Sequence, residues 1–83
     1  MTPPDWLKLH DGTLKAGLSP HTQFVMLGGK PQYRLDVGPA GGQYSCGVTQ
    51  TVNGHRYDSD KKFPDEAAAL AGGLEKLREQ LGW

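Results

Sequence analysis

Residues 33–57 read YRLDVGPAGGQYSCGVTQTVNGHRY, and the alternation inside this stretch decides the fold. Tyr33, Leu35 and Val37 fall on one side of an extended chain, with Arg34 and Asp36 on the other. That period of two is what a half-buried strand imposes. After a break at GPAGG, residues 38–42, Tyr44, Cys46, Val48 and Val52 repeat the pattern, interrupted only by Gln50. Asn53-Gly54 follows, two residues that both accept positive φ, the strongest short-range hairpin signal. A two-residue loop there pairs Val52 with His55 and Gln50 with Tyr57. His55 and Tyr57 then join the apolar face, while Arg56 and Asp58 point outward beside Thr51 and Thr49. The expected product is an antiparallel meander with one wet face.

Toward the carboxy terminus, Leu70, Leu74, Leu77 and Leu81 repeat at helical spacing, with Ala67 and Phe63 extending the stripe backwards. Pro64 at the first helical position and Asp65 and Glu66 in the first turn suit a helix start, giving a helix over 64–81. Gly72 and Gly73 each cost about 1 kcal/mol relative to Ala in a helix interior. Gly73 lies near the stripe and suits a close helix–sheet approach; Gly72 points nearly opposite and has no reason in the pattern.

Toward the amino terminus, residues 22–27 (TQFVML) form a strand, joined by GGKP to the strand over 32–37, and Ser19-Pro20 marks a turn. Asp11-Gly12 between short alternations favours a hairpin across 6–17; the rival is a short helix from Asp5 that Gly12 ends within two turns. Pro3 and Pro4 make residues 1–5 a disordered lead-in. The fold class is therefore α+β: an antiparallel β-meander of three to five strands with one C-terminal helix packed on a face, in a single small domain over 6–83.

Composition narrows the function classes. Eighty-three residues build a core one layer thick, with little room for a buried active site and the shell to hold it. Nine basic residues balance nine acidic ones, so bulk electrostatics alone will not hold a polyanion. Cys46 is the only cysteine, which excludes an internal disulfide and a multi-cysteine zinc site. No run approaches a membrane span. A soluble, cytoplasmic protein is expected.

His10, His21 and His55 lack the spacing of a metal site, and Cys46 has no basic neighbour in sequence to lower its pKa. GGK and GPAGG have neither phosphate-loop spacing nor a following helix. No carboxylate pair stands where acid and base roles separate. The expectation is no enzyme, no cofactor and no metal.

A binding module remains. The wet face offers Gln32, Arg34, Asp36, Gln43, Ser45, Thr49, Thr51, Arg56 and Asp58, groups that hydrogen-bond to groove edges, with no aromatic ring for base stacking. The leading expectation is duplex nucleic-acid binding through this face, with Arg34 and Arg56, and Lys61 and Lys62 before the helix, as candidate contacts. The alternative is a protein-interaction module using a sheet edge or a homodimer contact, with Trp6 or Trp83 as anchors.

Between residues 31 and 74, Tyr33, Gly38-Pro39, the strand over 44–52, Gly54, Lys61-Lys62 and the alanine-rich helix at Ala67, Ala68 and Leu70 resemble a double-stranded RNA-binding domain. That resemblance implies RNA contacts from Lys61 and Lys62. The segment KKFPDEAAALAGGLEKL is also similar to the sheet-to-helix join of integrase arm-binding domains, which implies insertion of the sheet into a DNA groove and gives Arg34 and Arg56 to DNA. Asp65 and Glu66 place carboxylates where phosphate would meet the helix start, so the sheet face is the better candidate.

Overall fold

The computed structural model describes residues 3–57 and 61–83. Asp58, expected outward, and the first two residues of the expected lead-in lie outside them. Six elements run in order: α1 (Asp5–Leu9), β1 (Gly12–Ala16), β2 (Thr22–Leu27), β3 (Lys30–Ala40), β4 (Gln43–Gln50) and α2 (Glu66–Leu81). The strands form one antiparallel sheet in the order β1-β2-β3-β4. Arg56 adds an isolated bridge to Thr49 beyond β4. With α2 packed on β3 and β4, this is the α+β meander-plus-helix that the alternation predicts.

Two Gly-Gly pairs set the hairpins. Leu27 pairs with Lys30 and Ala40 with Gln43, so Gly28-Gly29 and Gly41-Gly42 are two-residue loops. All four have φ between 58° and 83°, which a type I′ turn demands at both central positions. The expected break at 38–42 is therefore confined to Gly41-Gly42, and β3 continues through Gly38, Pro39 and Ala40. Pro39 is tolerated because β2 pairing ends at Thr22–Asp36. The Val37 N–H still reaches His21 O at 2.9 Å. Two residues on, the same side of β3 has no neighbouring strand, so the missing N–H is lost from no ladder.

At the amino terminus the rival reading prevails. Asp5–Leu9 is helical, and Asp11 rather than a hairpin turns the chain, at φ 60°. A five-residue helix does not stand alone. It is held because Leu7 is fully buried, its side chain filling the space that a Cβ at Gly12 would occupy.

The Asn53-Gly54 hairpin is also wider than its sequence suggests. The Gln50 N–H donates to His55 O, the Tyr57 N–H to Val48 O, and Thr49 bridges Arg56. The returning segment is thus shifted by two residues, with a four-residue loop over 51–54. A slip of two preserves which face each side chain takes, whereas a slip of one would invert it. Val52, expected in the core, falls in this loop and is 77% exposed.

The core is Leu7, Val25, Tyr33, Leu35, Cys46, Val48, Ala69, Leu74 and Leu77 with Gly73 among them. In α2 the buried line runs through Ala69, Gly73, Leu74 and Leu77, while Ala67, expected on the stripe, is exposed. Pro64 lies two residues before the helix, because Asp65 is the N-cap and its Oδ1 accepts from the Ala68 N–H at 2.7 Å. Both helix glycines have steric reasons. A Cβ at Gly72 would collide with the Phe63 ring, and one at Gly73 would stand 3.0 Å from Cys46 Cβ and closer still to its sulfur. The helix ends on Gly82, with the Trp83 N–H bonded to Arg78 O and the Gly82 N–H to Glu79 O, a Schellman motif. That turn lays Trp83 against His10, ring centroids 3.7 Å apart, and near Trp6, so the chain ends close on each other.

Replacing a helical glycine by alanine ordinarily stabilises by about 1 kcal/mol. Gly73→Ala should do the reverse and destabilise by about 1–3 kcal/mol, because the Cys46 backbone cannot retreat. Urea unfolding measures the sign, and Cys46→Ala in the same background should recover part of the loss.

Candidate functional site

α2 covers one side of the sheet. The residues facing the other side follow from the register: Lys15 pairs with Phe24, Phe24 with Arg34, Arg34 with Thr49, and Thr49 with Arg56. Cross-strand partners share a face, so these five side chains form one row across the sheet. Adjacent strands stand about 4.8 Å apart, which makes the row about 19 Å long. Its order is cation, ring, cation, hydroxyl, cation.

Phe24 is the residue the sequence reading missed: the uncovered face does carry an aromatic. TQFVML alternates poorly, and only its pairing with Lys15 and Arg34 assigns Phe24 a side. Phe24 and Met26 do not belong to the group of apolar residues packed against the core. Beside them the β3 register shifts between Val25 and Met26, so Met26 pairs with Pro31 and Gln32 becomes the extra residue. The bulge brings Pro31 onto the uncovered face where Gln32 was expected. Ala16, Gly17, Leu18, Phe24, Met26 and Pro31 then line a hollow of about 310 Å³ with Lys15 at its side. Leu18 stands fully exposed beside it.

The charges on this face are sided. Among the described residues it carries Lys15, Arg34 and Arg56 against a single carboxylate, Asp36. Arg34 Nε donates to Asp36 Oδ2 at 2.8 Å, and the Thr22 hydroxyl donates to Asp36 Oδ1 at 2.8 Å. Both partners of the ion pair are nearly half exposed, so it orients the guanidinium more than it stabilises the fold. Thr49, between the two arginines, is only 8% exposed, and its hydroxyl has no hydrogen-bond partner. α2 carries Glu66, Glu75 and Glu79, all exposed, against Lys76 and Arg78, a slight acidic excess.

The four sequence candidates divide. Arg34 and Arg56 flank Thr49 in the row. Lys61 and Lys62 diverge from each other at the far end of β4, where Phe63 pairs with Tyr44. Lys61 lines a hollow with Phe63, Gly72, Glu75, Lys76 and Glu79. Lys62 Nζ lies by Gly41 in the β3–β4 turn, 3.6 Å from where a Cβ would stand. The two lysines do not form a clamp, and neither joins the arginine row.

Elsewhere, Cys46 is buried and forms no disulfide, with its thiol donating to Gly47 O at 3.7 Å. His21 Nδ1 lies 3.3 Å from Glu66 Oε2 at the start of α2. No three His, Cys, Asp or Glu among the described residues are grouped to hold a metal. None of the helices described is long and apolar enough to cross a membrane. On the covered side Tyr33 and Tyr57 lie 6.4 Å apart, His55 packs edge-on to Tyr57 at 4.7 Å, and the Tyr57 hydroxyl donates to Gln50 Oε1 at 3.1 Å.

These features define a small antiparallel α+β domain with one face uncovered, mixed in ring and cation. Comparison with known protein families, with curated proteins and with solved structures gives no match to the chain.

Burial first, and then the neighbouring Tyr57, push the Tyr33 phenol above the usual tyrosine value. The folded state therefore holds this proton more tightly than the unfolded chain. The stability this proton contributes should be fully present below about pH 10, the unfolded value, and be lost as pH rises through the folded one. Tyr33→Phe should flatten that alkaline limb in chemical unfolding at graded pH; an unchanged slope would rule Tyr33 out as its source.

Proposed function

We propose that this protein is a non-catalytic module that binds nucleic acid on the uncovered face of its sheet. The observation that carries the reading is the row Lys15, Phe24, Arg34, Thr49, Arg56, which among the described residues sets three cations across a face bearing one carboxylate, Asp36. Net charge near zero does not oppose it, because the acidic residues of α2 lie on the other side of the sheet and local potential governs encounter. Arg34 supplies a guanidinium already oriented by Asp36 through Nε. The terminal nitrogens then suit a phosphate oxygen. With a single cysteine the fold needs no disulfide, and a cytoplasmic location belongs to this proposal.

Binding should weaken steeply with salt, since each neutralised phosphate releases counterions. Arg34→Ala with Arg56→Ala should lower affinity by about tenfold or more and reduce the salt slope by about two. Lys61→Ala with Lys62→Ala should change affinity less than twofold. Fluorescence anisotropy with labelled oligonucleotides over a salt series measures all three. Failure to bind either single strands or duplexes at low salt would remove the proposal.

A further inference from the structure

We infer that the hollow beside Phe24 receives an unpaired nucleobase, so that the uncovered face selects single-stranded over duplex nucleic acid; this rests on the nucleic-acid reading above. Phe24 stands in the row between Lys15 and Arg34. A base on its ring would therefore carry its flanking phosphates past two cations. The ring has room to lie along the edge strand because Gly17 has no side chain: a Cβ there would stand 3.2 Å from Phe24 Cε2. Met26 and Pro31 continue the apolar floor, and Leu18 forms an exposed wall. At about 310 Å³, the hollow stands at the small end of ligand pockets, the size for one planar fragment. A base has a π-face whatever its identity, so stacking of this kind tolerates sequence. A duplex keeps its bases paired and stacked inside, and would meet this face with phosphates alone.

The other occupant an apolar sheet face suggests is a second copy of the chain. A twofold dimer through this face would set Lys15, Arg34 and Arg56 against their own copies, with Asp36 the one carboxylate among the described residues of the face to offset them. The charge pattern fits a polyanion and opposes self-association.

The test compares a short oligothymidylate with a hairpin duplex of matched phosphate number, titrated against the full chain at low salt. The single strand should bind more tightly. Phe24→Ala should weaken its binding about five- to a hundredfold and leave duplex binding nearly unchanged, while Phe24→Tyr, which keeps the ring, should retain the preference. The Phe24 ring resonances should shift on adding oligothymidylate. Equal or tighter duplex binding that Phe24→Ala does not alter would overturn this inference and leave the broader proposal standing. Absence of binding to both ligands would overturn the two together. A concentration-dependent dimer abolished by Phe24→Ala would assign the hollow to a second copy and overturn the inference directly.

Discussion

One helix of sixteen residues lies on one side of a sheet of four strands, and among the described residues no second long element lies on the other. Every other feature follows from that asymmetry. The covered side must supply the whole hydrophobic core, so its packing is tight: Gly73 lets the backbone of α2 approach Cys46, and Gly72 leaves room for the Phe63 ring. Fully burying side chains such as Leu35, Leu74 and Leu77 contributes about 1.5–3 kcal/mol each. Small domains have few such groups. The fold spends additional contacts closing itself at the ends, with Leu7 under α1 and Trp83 folded back on His10.

The uncovered side is free of that demand, and its composition is therefore informative. A sheet face that only needed solvating would alternate polar residues throughout. Here Phe24, Met26 and Pro31 interrupt the polar pattern, and none of them supports the core. Apolar groups that contribute nothing to the interior while cations stand in the same row call for a functional explanation more than scattered surface leucines do.

What the sequence made legible was periodicity. The alternation in 33–37 and 44–48 correctly gave the faces of β3 and β4, and the leucine spacing gave α2. It also located Arg34 and Arg56 on one side, because the unforeseen two-residue slip at Asn53-Gly54 preserves parity. What it did not reveal depended on register between segments distant in the chain. TQFVML has no clean alternation, so Phe24 acquires a side only by pairing with Lys15 and Arg34. Pro31 reaches the outer face only through the bulge at Gln32, which no local pattern announces. Asp11-Gly12 looked like a hairpin because its turn chemistry is real; Asp11 does turn the chain at positive φ. The missing information was Leu7, whose burial makes the preceding residues a helix rather than a strand.

The same distinction explains why Lys61 and Lys62 draw the eye in sequence yet stand apart in space. Adjacent residues in an extended segment point to opposite sides. Phe63 is fixed inward by its pairing with Tyr44 and its fit on Gly72, so the two residues before it must diverge. Lys61 then lines a hollow with Glu75, Lys76 and Glu79, away from the arginine row. Arg34 and Arg56 are distant in sequence but meet across Thr49, because residues with one β4 partner are placed on one face. For a polyanion the relevant unit is the row that cross-strand pairing assembles, and adjacency along the chain is a poor guide to it.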